Sequence, residues 1–136
     1  MDFGKIMQIS ASGIQAESVR LRTIAENIAN ANSTSTTPGG EPFRRKLVTF
    51  KSEFDKALGI TEVKVDRVNV DKSQLEKRYD PENPGADKDG YVLMPNVNPL
   101  IEMMDMRQAQ RSYEANLNVI DMSRSMASHT IDLLKG

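Results

Sequence analysis

Small and apolar side chains recur at helical spacing along the N-terminal part of the chain. Met7, Ala11, Ile14, Ser18, Leu21, Ala25 and Ile28 follow alternating steps of four and three, which places them on one face of a helix. This spacing predicts an amphipathic helix from Phe3 to about Asn32. Large residues alternate with small ones along the seam, so a second helix can approach closely, as knobs enter holes in a coiled coil. Ile24 joins Leu21 and Ile28 as an expected contact of that helix pair. Gly13 interrupts the pattern and costs about 1 kcal/mol against alanine inside a helix; a close backbone contact would explain it.

A second helical period runs from Leu100 to about Leu134. Met106, Tyr113, Ile120, Ala127 and Leu134 recur at steps of seven, with Leu117 and Ile131 beside them, and these are expected in the intrachain seam with Met7 and Ile14. Another stripe, Ala115, Val119, Met122, Met126 and Leu133, lies on a neighbouring face. Apolar side chains therefore wrap more of this helix than one partner could cover. Val119, Met122, Met126 and Leu133 are accordingly expected between subunits. A proline near the first turn starts the helix and Gly136 ends it.

Between the two helices the period changes. Ser33 to Gly40 is rich in Ser, Thr, Pro and Gly and reads as a linker. Leu47–Phe50 is a candidate strand, and Ile60–Val70 a better one, with Val63 and Val65 alternating against Lys64 and Asp66. The alternation changes phase near Asp66–Arg67, where a bulge or bend is expected. Asp80 to Gly90 is a turn-rich loop, Tyr91–Met94 returns as a short strand, and Pro95 and Pro99 bracket an extended crossing. Asn27, Asn30 and Asn32 are expected to cap and redirect the end of the first helix, and Asn96 and Asn98 to fix the crossing into the second. The fold class predicted is mainly α with a small β segment: long N- and C-terminal helices paired as an antiparallel coiled coil, and a central β-containing domain. The expected boundaries are 1–34, 35–98 and 99–136.

Composition narrows the functions open to such a chain. Its 136 residues hold one compact domain, or a small domain with long helices attached. Lys and Arg number 18 against 19 Asp and Glu, so no net field draws it to nucleic acid or to an anionic membrane. No cysteine is present, which excludes disulfides, thiolate metal sites and cysteine nucleophiles. Eight methionines and only 5% aromatic residues suit contacts with several different neighbours. The N-terminus has no basic start, apolar run and cleavage site of a secretory signal, and no stretch has the length to span a bilayer. A cytosolic protein is the plain reading, with export by another route left open.

No catalytic, cofactor or metal constellation emerges. His129 is the single histidine, and Gly39-Gly40 lacks the Lys-Ser/Thr of a phosphate loop. Asp87-Lys88-Asp89-Gly90 has part of a calcium loop's pattern without its remaining acidic ligands, and a tight turn is the simpler reading. The basic cluster Arg44-Arg45-Lys46 fits a solvated strand end or a salt-bridging patch between subunits better than nucleic-acid contact. From these features alone, an assembly subunit and a small cytosolic coiled-coil adaptor both remain open.

Two segments narrow that choice. Ser10 to Thr34, SASGIQAESVRLRTIAENIANANST, resembles the N-terminal signature of the flagellar rod and hook axial proteins. Tyr91 to Ile120, with PNVNP, EMMDM and RSYEAN, resembles the proximal-rod members of that family more specifically, and PNVNP and EMMDM speak against the alternative, another axial rod or hook subunit. Glu26 departs from the pattern, standing where the family often has Asn or Ser. The resemblance implies a non-enzymatic subunit exported through the flagellar type III apparatus without a cleaved signal and assembled in the periplasmic space. It further implies polymerisation with copies of itself and other rod proteins into a tube that transmits torque and encloses the export channel. In that picture the terminal helices line the channel and the central part lies outside; no cofactor, nucleic acid or membrane insertion is involved.

Overall fold

A computed structural model describes residues 2–136. Helix α1 (Phe3–Ala29) opens on Asp2, whose carboxylate accepts the Lys5 amide at 3.2 Å and whose carbonyl accepts that of Ile6 at 3.2 Å. It ends at Ala29, before the expected Asn32. There the Asn30 side chain donates to the Glu26 carbonyl at 2.9 Å while Ser33 closes onto Asn30 through its own amide, and residues 30–32 form a turn. Strands β1 (Lys46–Asp55) and β2 (Ile60–Val70) pair as a hairpin. In its tight connection the Asp55 carboxylate accepts the Ala57 and Leu58 amides, and Gly59 adopts φ +67°, a conformation disfavoured for residues with a Cβ.

Strand β1 extends well beyond the expected Phe50, through residues 51–54, which are exposed and carry no apolar alternation to announce it. Within β2 the buried positions are Ile60 and Glu62, one residue out of phase with the expected Val63 and Val65. Glu62 is held there by Gln8 Nε2 at 2.9 Å and Lys64 Nζ at 3.1 Å, and these hydrogen bonds keep its carboxyl below the usual range. Beyond Asp66 the strand is exposed on both faces, so the change of phase marks where burial stops while the strand itself continues unbroken.

Strands β3 (Lys77–Tyr79) and β4 (Tyr91–Leu93) pair antiparallel, with Arg78 opposite Val92 and Tyr79 opposite Tyr91. Their tyrosine rings meet edge to face at 5.4 Å. The connection closes at Gly90, with φ +86°, where a Cβ would come within 2.9 Å of the Tyr79 ring. The Asp87 carboxylate accepts the Tyr91 and Asp89 amides, and the Tyr91 bond holds it below its ordinary range. Helix α2 (Pro99–Lys135) then runs to the end of the chain. Asn98 caps it, its side-chain oxygen accepting the Leu100 amide at 3.1 Å, and Pro99 fills the first helical position, where no amide is needed.

The chain divides into two compact units, and both helices and the β1–β2 hairpin contribute to each. The first comprises the chain as far as Leu21, Val48–Arg67 and Arg107–Gly136; its buried residues include Ser12, Ala16, Ile60, Ala109 and Ser123. The second comprises Arg22–Leu47 and Val68–Met106, with Ile24, Asn27, Val92 and Glu102 buried. No helix among the described residues is long and apolar enough to cross a membrane.

Candidate functional site

The second unit is organised around a buried carboxylate. Glu102, in the first turn of α2, is 1% exposed. Arg45, just ahead of β1, forms a close ion pair with it and also reaches Asp105 at 3.4 Å. Asn27, on the last turn of α1, donates to Glu102 Oε2 at 3.3 Å and to the Lys46 carbonyl at 2.8 Å, while its oxygen accepts the Lys46 amide at 2.9 Å. This pairing mimics a strand partner, so one side chain ties the helix end to the strand start. Asn96 does the same at the crossing: its oxygen accepts the Arg45 amide at 2.7 Å, and its nitrogen donates to the Asp71 carbonyl and to Ser73 Oγ. Asn32 is exposed.

The basic cluster is spent inside this unit. Arg44 pairs with Glu41 and donates to the Ser73 carbonyl, Arg45 pairs as described, and Lys46 meets Glu26 at 2.6 Å. The salt bridges of this patch thus form within the chain, not between subunits as expected from the sequence.

In the first unit the helices touch through small and polar residues. A Cβ on Gly13 would lie 2.7 Å from Asn116 Nδ2, so the glycine permits that approach. Arg20 Nη2 donates to Gln108 Oε1 at 3.2 Å. The positions on α2 that lie at steps of seven through Glu102, Ala109, Asn116 and Ser123 are buried or half-buried. A search for apolar periodicity passes over this stripe; the heptad spacing of small and amide side chains is the signal that identifies it.

Of the residues expected in the seam, Ile24 is buried, and Met7, Ile14, Leu21, Ile28, Met106, Tyr113, Ile120 and Ala127 are half-buried. Leu117, Ile131 and Leu134 are exposed, Leu134 to 83%. Val119, Met122, Met126 and Leu133, expected between subunits, are also open to solvent, Met122 to 62%. About the last five turns of α2 thus present an uncovered apolar surface of the kind that marks an association face.

Comparison with known proteins places this arrangement. A family model described as "Flagella basal body rod protein" matches residues 7–35, and one described as "Flagellar basal body rod FlgEFG protein C-terminal" matches residues 88–133. The two matches fall on the two helical ends and define the class, that of flagellar basal-body rod proteins. The chain is 56% identical over 128 residues to the flagellar basal-body rod protein FlgC of Agrobacterium fabrum, covering 94% of this chain and 92% of that one. It is 40% identical to FlgC of Salmonella typhimurium over 94% of this chain and 95% of the other, and 39% identical to FlgC of Borreliella burgdorferi over 96% of each. The chain belongs to the FlgC family of flagellar basal-body rod proteins.

Proposed function

We propose that this chain is a structural subunit of the proximal rod of the flagellar basal body, acting by assembly with copies of itself and other rod proteins and carrying out no catalysis. The observation that carries the reading is similarity to FlgC proteins along nearly the whole chain. The open apolar surface of α2 supports it, because a chain that leaves such a face uncovered needs neighbours.

In this reading α1 and α2 pair as an antiparallel coiled coil. Within the first unit the contacts Gly13 with Asn116 and Arg20 with Gln108 descend α2 as they ascend α1, which fits that pairing. Residues 1–34 and 99–136 make the inner helical domain around the export channel, and residues 35–98 the outer β-containing domain. Val119, Met122, Met126 and Leu133 meet neighbouring subunits, and Leu117, Ile131 and Leu134 join them there. Contacts related by a screw operation do not close, so they build a tube able to transmit torque. The subunit reaches its place in the periplasmic space through the flagellar type III export apparatus.

The test is electron microscopy of basal bodies from cells with and without this gene product. The expected result is loss of the rod without it and recovery when it is supplied. Complete rods and normal motility in its absence would overturn the proposal.

A further inference from the structure

Within the first unit a pocket of about 370 Å³ is lined by the apolar side chains of Ile9, Ala16 and Phe50 and by Glu17, Glu62 and Asn116. Glu62 is already satisfied by Gln8 and Lys64. Glu17 is not. It is 8% exposed, and its buried Oε2 has no hydrogen-bond partner. Arg20 Nη1 forms an ion pair with that oxygen at 3.6 Å, too long for a hydrogen bond, and Arg20 Nη2 is given to Gln108. Burial pushes the Glu17 carboxyl up from its ordinary range in spite of that arginine. A buried acceptor left this way is costly, and an incoming cation relieves the cost. Phe50 also lines the pocket and adds an aromatic side chain beside the carboxylate.

The chain carries a matching group. Arg124 on α2 is exposed and, among the described residues, forms no ion pair; seven residues to either side stand exposed Leu117 and Ile131. The other unpaired arginines of α2 lack this setting, since Arg107 has Glu114 and Arg111 has Asn118 seven residues on. Arg124 cannot serve its own pocket. It lies eight residues past Asn116, about 12 Å along the helix.

We infer that the Glu17 pocket receives Arg124 of a second copy of this chain, with Leu117 and Ile131 of that copy covering the exposed Ile9 and Phe50. The contact is head-to-tail: each copy offers a pocket to one neighbour and an arginine to another, so the same contact repeats from copy to copy. This inference rests on the rod-subunit reading and names a residue pair for it.

Charge exchange tests the pair in cells lacking the native gene. Glu17→Arg and Arg124→Glu should each reduce the number of assembled rods at least about tenfold, while the purified variants keep the helical circular dichroism of the parent chain. The double exchange in one chain should restore rods, and so should the two single variants produced together, because the new pair then forms between copies. Single exchanges without loss, no rescue by either combination, or rescue only by a compensating change in a different rod protein would overturn the inference. Failure of the unaltered chain to restore rods would instead overturn the proposed function, and the inference with it.

Discussion

Glu102 and Glu17 are both almost withdrawn from water, yet the chain treats them differently. Glu102 has the Arg45 guanidinium against it and the Asn27 amide on its other oxygen, and the partners of those partners are themselves bonded. Glu17 has a buried oxygen without a hydrogen bond, facing only the Arg20 guanidinium at 3.6 Å. A complete polar network in low dielectric fixes one arrangement of the elements it joins, whereas an incomplete one keeps a cost in the single chain that a neighbour can remove. Within the second unit, then, Glu102 has its polar contacts completed, and in the first unit Glu17 keeps one oxygen without a hydrogen bond; exposed apolar side chains occur in both, Met104 in the second and Met122 in the first.

Removing Arg45 should break this contrast most severely. Arg45→Ala strands the Glu102 charge and should destabilise the purified chain by about 3–5 kcal/mol, read from denaturant unfolding. Replacing Asn27 by alanine deletes three hydrogen bonds around a buried position and should cost about 1–3 kcal/mol in the same experiment. Glu17→Gln should have the smallest effect and the opposite sign. The folded-state pKa of Glu17 is raised, so its favourable contribution is present below the ordinary glutamate range and is lost as pH rises through the folded value. At neutral pH the glutamine variant should therefore match or exceed the parent in stability. Moving to pH values below the glutamate range should shrink the difference, and thermal unfolding across pH would display it.

How much of this was legible in the sequence follows from what apolar periodicity reports. Both helices were visible because their half-buried faces carry Ile, Leu and Met at heptad spacing, and β2 was placed from Ile60 to Val70 by its valines. Strand β3 was missed: Lys77, Arg78 and Tyr79 are all exposed and bury nothing that a pattern could show. The second half of β1 escaped for the same reason. At the helix contact, apolar spacing points to the helices and to Ile24, which is buried, and passes over the small and polar positions. The chain also buries Ala16, Ala109, Ser123 and the amide and carboxylate groups of Asn27 and Glu102. Small residues permit close approach, and burying a polar one is costly unless it is bonded, a condition that a linear sequence does not display. Asn98 was legible as a cap because its chemistry is local, whereas the Arg45 to Glu102 pair joins residues 57 positions apart.

The account turns on α2 being unfinished until neighbours arrive, and amide hydrogen exchange measures that directly. Helix turns without packed side chains open at low free-energy cost. Residues 117–134 should exchange quickly in the dilute purified chain and become strongly protected in isolated basal bodies, while residues around Asn27 and Glu102 should be protected in both. Equal, strong protection of residues 117–134 in the free chain and in the assembled rod would contradict it.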